Sequence, residues 1–257
     1  MSPLPPAVAA LAPVPQVPRA AVSAKARLLD LLFPVRCAGC GRAGELLCPA
    51  CRAQVQPVPQ PVCIRCGRPL AVQGRCGDCA AGQFHVSAIR SAAIYADPLS
   101  QAIHRFKYEG RPELHEPLGQ LLASYWRDRS ASVDLVVAVP LHEKRLRERG
   151  FNQSDLLAAV LCREVRLPLL QPGILRRERD TQQQMLLGPA ERRENVQDAF
   201  RWHGPPLAGC KVLLIDDVAT TGSTLEACAV ALLAAGASKV WALTVARALG
   251  SQNATKG

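Results

Sequence analysis

Apolar residues along this chain fall into short continuous runs separated by polar stretches. Residues 86–95, VSAIRSAAIY, predict a strand, and residues 98–107 and 113–126 carry apolar positions at helical spacing. Residues 134–140, DLVVAVP, predict a second, buried strand. The polar stretch LHEKRLRERGFNQS reads as a loop, followed by helical spacing over about 155–164 and a short strand around 169–175. Further on, Val212, Leu213, Leu214 and Ile215 run straight into Asp216 and Asp217. A strand without polar alternation is buried on both faces, as in a parallel sheet. The segment ATTGST at 219–224 predicts a tight turn, 223–235 a helix and 240–246 a last strand. Strands alternating with helices imply an α/β fold, a mostly parallel sheet flanked by helices.

The front of the chain breaks this pattern. Residues 1–30 are rich in Pro and Ala and read as disordered, residues 31–82 carry a cysteine framework, and residues 83–250 form the α/β domain. The N-terminus lacks the order of a signal peptide, and no run of about 18 apolar residues offers a membrane span. The chain is therefore expected in the cytoplasm. Eleven cysteines would suit a disulfide scaffold, but eight of them form close CxxC units, which points to metal instead. CAGCGRAGELLCPAC (37–51) and CIRCGRPLAVQGRCGDC (63–79) both begin CxxCGR, a short internal repeat. Gly41 and Gly67 permit the positive φ that turns backbone amides toward sulfur. Two knuckles complete a tetrahedral four-cysteine zinc site. Adjacent pairing, with Cys37, Cys40, Cys48 and Cys51 in one site and Cys63, Cys66, Cys76 and Cys79 in the other, is simplest; a crossed arrangement also fits. Such zinc holds together a segment too small to fold alone, so Cys37→Ser or Cys63→Ser should loosen 31–80 and leave the larger domain folded. A nucleic-acid or partner platform is the rival role, but few aromatics interleave the basic residues. Cys162, Cys210 and Cys228 stand alone in apolar or helical settings, as core residues do.

The formal charge of +10 falls to about +6 once eight thiolates and two Zn²⁺ are counted. It still favours an anionic partner: nucleotide, pyrophosphate or nucleic acid. Two polar stretches concentrate cations, Lys144, Arg145, Arg147 and Arg149 in the first, and Arg176, Arg177, Arg179, Arg192 and Arg193 in the second. Arginine suits bidentate binding of phosphate oxygens, although acids are interspersed and either stretch also reads as ordinary solvated surface. The carboxylates Asp216 and Asp217 fall at the strand end where open α/β sheets bind ligands, just before a helix N-terminus whose free amides suit phosphate. A ligand with a phosphate and nearby hydroxyls satisfies both features.

These residues resemble a known family. The segment VLLIDDVATTGST (212–224) resembles the phosphate-loop signature of type I phosphoribosyltransferases. Together with the paired CxxC ribbons, HRFKYEGR (104–111), VAVPLHEKRLRERGFNQS (137–154), LRRERDTQQQ (175–184) and RRENVQDAF (192–200), it resembles the ComF/GntX family of competence-associated proteins. The resemblance covers about residues 31–247 and implies a type I phosphoribosyltransferase-like fold behind a double zinc ribbon. It implies binding of 5-phosphoribosyl-1-pyrophosphate with Mg²⁺ in a setting of DNA uptake or utilisation, with single-stranded DNA or a competence helicase as partner. Carried onto this sequence, Ala219, Thr220, Thr221, Gly222, Ser223 and Thr224 would surround the 5′-phosphate, and Asp216 and Asp217 would meet the ribose hydroxyls. The stretch from Pro140 through Lys144, Arg145, Arg147 and Arg149 would receive pyrophosphate, under a mobile hood at 176–193 that includes Arg176 and Arg177. Purine enzymes of this type often carry an acid three residues after the second carboxylate; here Thr220 stands there. A non-catalytic DNA- or partner-binding module is the alternative. An ATPase is disfavoured because no GxxxxGK[ST] loop occurs.

Overall fold

Four parallel strands in the order β1-β6-β5-β2 form the central sheet of the computed structural model, which describes residues 34–82, 84–129, 132–179 and 199–249 together with Pro5 and Val8. The strands are β1 (Ala88–Ile94), β2 (Leu135–Ala138), β5 (Lys211–Ala219) and β6 (Lys239–Arg247). Successive side chains of β5 alternate between two cores, as strand geometry requires. Leu213 and Ile215 face α3 (Leu99–Tyr108), α4 (His115–Arg127) and α6 (Gln153–Val165), while Val212 and Leu214 face α7 (Ser223–Ala234). Helices thus cover both faces of the sheet. Close approach of α4 and α6 depends on Gly119, where a Cβ would stand 2.5 Å from that of Val160.

β5 runs four residues past its apolar stretch, so Asp216 and Asp217 lie inside the strand and not after it. The cause is β6, which is equally long and continues the ladder through Asp216↔Thr244, Val218↔Ala246 and Ala219↔Arg247. On the other side β2 stops at Ala138↔Ile215, so among the described residues no strand flanks Asp216 and Asp217 there.

The stretch read as a loop after β2 contains a short helix, α5 (Glu143–Arg149), with no buried residue. A helix of charged residues has no apolar face and so leaves no periodicity to read. His142 caps it by accepting from the Lys144 amide, and Gly150 ends it at φ 81°. The next helix, α6, begins at Gln153, two residues before the start its spacing predicts, because Asn152 caps it through the Ser154 amide. Around 169–175, Leu169 makes one bridge to Val136, and the strand proper is β3 (Leu175–Arg177). β3 pairs antiparallel with β4 (Phe200–Trp202) in a separate two-stranded sheet. Most of the expected hood, 180–193, with Arg192 and Arg193, lies outside the described residues.

The cysteine module contains the short helices α1 (Pro49–Ala53) and α2 (Gly77–Ala81), and it is fastened to the sheet. Cys37, Ala38, Leu47, Cys48 and Cys51 share one core with Leu99, Ile103 and Phe106. The amides of Ile89 and Ile94 donate to Arg65 O (2.6 Å) and Gln56 O (2.9 Å), so the module covers the outer edge of β1. An edge strand otherwise presents unpaired groups to any other chain.

Candidate functional site

Both carboxylates of β5 sit at the carboxyl end of the sheet, and neither is unpartnered. Lys107, near the end of α3, places Nζ 2.8 Å from Asp217 Oδ2, with side chains only 19% and 4% exposed. Burial opposes the ammonium charge, but the attraction of Asp217, joined by that of Asp216, holds Lys107 above its ordinary range. Ser154 Oγ, from the first turn of α6, donates to Asp216 Oδ1 at 2.9 Å, and so does the Asp217 amide. Burial, and then the like charge of Asp217, nevertheless push the Asp216 carboxyl up toward neutrality. Sequence reading missed Lys107 and Ser154 as site residues. Their segments, HRFKYEGR and RGFNQS, were visible as motifs, but nothing local pairs position 107 with 217.

The 219–224 turn begins where β5 ends. Ala219 is buried, Thr220 and Thr221 are exposed, and Ser223 and Thr224 are half-buried. Gly222 adopts φ 85° at the N-cap of α7 and offers no side-chain cap. The Ser223 amide donates to Thr221 Oγ1 at 3.3 Å, and the first helical backbone bond runs from the Glu226 amide to Gly222 O. The amides of Thr224 and Leu225 precede that first bond, as orphan donors at a helix start do. Glu226, in the same first turn, accepts from the amides of His85 and Val86 and so ties the linker behind the cysteine module to α7.

The basic stretches divide. A cavity of about 650 Å³ opens beside the end of β2, lined by His142, Glu143, Asn152, Asp155, Arg176 and Arg177 among others. Lys144, Arg145, Arg147 and Arg149 do not line it. Arg147 lies 4.0 Å from Glu143 on the exposed face of α5. Arg149 stands over the Tyr108 ring at 5.3 Å and donates to Gln153 Oε1. Arg176 donates to Gly173 O, and Arg177 lies over Phe200 at 5.5 Å. Burial pushes Asp155 up to about 6, against a hydrogen bond from Asn152. Ser154 lies between Asn152 and Asp155 in the chain, so the cavity wall continues into the residue that holds Asp216.

The eight paired cysteines assemble into two four-cysteine clusters with adjacent pairing. Within each, the four sulfurs lie within 4.8 Å of one another, and all but Cys40 are buried. Gly41 and Gly67 take φ 76° and 73°, as the knuckles require. Burial works against ionisation of Cys37 and Cys63, yet amides, that of Cys48 for Cys37 and that of Cys76 for Cys63 foremost, hold each down at about 6. A set of four converging soft donors, one of them readily thiolate, fits Zn²⁺. Cys162, Cys210 and Cys228 are buried apart from both clusters.

A family model described as a double zinc ribbon domain matches residues 28–80. Competence protein F of Haemophilus influenzae is 32% identical over 235 residues, which cover 84% of this chain and 98% of that protein. DNA utilization protein YhgH of Escherichia coli K12 is 34% identical over 205 residues, 77% of this chain and 89% of its own. Among solved structures, an adenine phosphoribosyl transferase from Trypanosoma brucei matches 58% of this chain and 71% of its own at 13% identity, with a TM-score of 0.32, a likeness too distant to carry an argument. Among the described residues no helix is long and apolar enough to cross a membrane.

Proposed function

This chain belongs to the ComF family, which includes Competence protein F and DNA utilization protein YhgH, and from that premise we propose that it binds 5-phosphoribosyl-1-pyrophosphate with Mg²⁺ and transfers the phosphoribosyl group in DNA uptake or utilisation. The observation that carries the reading is the carboxylate pair of β5, two residues before a turn that opens into a helix N-terminus. Amides at 219–224 and the positive end of α7 would hold the 5′-phosphate. Asp216 and Asp217 would accept from the ribose hydroxyls and favour positive charge developing at C1′ as its bond to the pyrophosphate oxygen breaks. Lys107, 2.8 Å from Asp217 Oδ2, holds that carboxylate in place at the strand end. The cavity bordered by Arg176 and Arg177 is the space into which pyrophosphate would fit, with guanidinium groups at its wall. Hard carboxylate oxygens suit Mg²⁺, which when bound supplies positive charge to the leaving group. Thr220 stands where purine enzymes of this type often carry their base, so either the acceptor needs no proton removed at that position or transfer is weak or absent.

Calorimetric titration of the donor with Mg²⁺ into wild type and Asp216→Asn/Asp217→Asn tests the assignment. Affinity should fall by about 2–5 kcal/mol, the range for removing buried charged hydrogen-bond partners. Equal binding by both proteins would sink it. Pyrophosphate release during incubation with candidate acceptors separates a transferase from a protein that only binds the donor.

A further inference from the structure

Zn²⁺ held by four thiolates carries a net charge of −2, and a protein that buries such a cluster needs compensating donors or cations nearby. The two clusters meet this need differently. At the first, Arg105 Nη1 donates to Cys37 O at 3.3 Å; its side chain is 31% exposed and is shared with Glu109 at 3.6 Å. At the second, Arg247 Nη1 donates to Cys66 O at 2.8 Å, and Arg247 is 2% exposed. Among the described residues no carboxylate pairs with Arg247, and its Nε has no hydrogen-bond partner. The Cys66 to which it donates belongs to the second four-cysteine cluster. A buried cation without an anion is strongly unfavourable, so a thiolate cluster is what makes this placement stable.

The same residue closes the sheet against the 219–224 turn. Arg247 is the last residue of β6 and pairs with Ala219. The second knuckle also backs onto β1: a Cβ on Gly67 would stand 2.5 Å from Ile89 O, and Ile89 Cδ1 in turn lies against Gly222. Arg65 Nη1 donates to Val86 O, whose amide donates to Glu226 in the first turn of α7.

We propose that Arg247 is the charge-balancing partner of the zinc in the second cluster, and that through it the state of that cluster sets the order of the 219–224 turn. Arg247 is a positioning residue, acting on the turn through the ladder and not through a ligand. The test uses the full-length zinc-loaded protein. Zinc release to a chromogenic chelator should become about 10–100-fold faster at one site of two in Arg247→Met, the usual effect of losing an outer-shell partner. Arg247→Lys, which keeps the charge but not the fork, should fall between, and Arg105→Met should leave release from the second site at the wild-type rate. Wild-type release rates in Arg247→Met and Arg247→Lys would overturn the assignment. A separate arm leaves Arg247 in place: Cys79→Ser should speed hydrogen exchange at amides 220–225 while α6 stays protected. Unchanged exchange there would overturn the coupling. Neither arm involves the phosphoribosyl donor, so the outcome stands apart from the function proposed above.

Discussion

Asp216 and Asp217 are neighbours on one strand, yet substitutions should affect them in opposite ways. Asp217 neutralises Lys107 in a nearly dry contact. Removing its charge leaves a buried ammonium alone, so Asp217→Asn should lower stability by about 3–5 kcal/mol. Asp216 has a carboxyl raised by burial and by Asp217. A raised acid binds more protons folded than unfolded, so its contribution is most favourable below the unfolded value near ~4 and is lost as pH rises through the folded value. Asp216→Asn should therefore match wild type near pH 4 and exceed it by about 1–3 kcal/mol at pH 8. Urea unfolding of both variants across that range checks the signs; two variants that behave alike would contradict the asymmetry. The sequence shows two adjacent acids that repel. It does not show Lys107, because α3 brings that residue across the sheet end from 110 positions away.

At the scale of elements, the parts legible in the sequence were those with a repeating apolar signal. β5 through Ile215, β6, α7 and the helices around α3 and α4 all bury a run or a face. α5 and the far end of β5 do not, and they are held by a cap and by a partner strand. The 219–224 turn was legible for another reason, since small and hydroxylated residues before a helical run suit few backbone shapes. Gly222 is its pivot: φ 85° is strained for any residue with a side chain, and a new Cβ would also meet Ile89 Cδ1 at 2.7 Å. Gly222→Ala should lose about 1–3 kcal/mol, the range for a non-glycine residue forced into such a region, and should weaken binding of inorganic phosphate. Thermal melts with and without phosphate measure both effects. A variant as stable as wild type, with the same phosphate-induced shift, would show that the turn tolerates another shape.

The whole molecule departs from what its two-part composition suggests. A zinc module that merely precedes an α/β domain could lose its metal and leave that domain intact, as the sequence implied. Here Cys37, Cys48 and Cys51 sit in the same core as Leu99, Ile103 and Phe106, and the module supplies the acceptors for the β1 edge. Loss of zinc should therefore open the core of α3 and expose an edge strand, not merely fray the N-terminal part. The chain provides a convenient reporter: its three tryptophans are Trp126, Trp202 and Trp241, all outside the cysteine module. Tryptophan fluorescence thus follows the α/β part alone. Independent parts would give the same melting temperature before and after chelation, and in Cys37→Ser. A shared core gives one cooperative transition that moves down by about 5–10 °C, since each kcal/mol is worth roughly 2–4 °C at this chain length. A fluorescence melt that ignores metal removal would mean that the packing between module and sheet contributes little. The shift should be present in Cys63→Ser as well, because that cluster anchors the same edge through Arg65 and Ile89. If only Cys37→Ser moved it, the apolar contact with α3, and not the cover over β1, would be what joins the two parts.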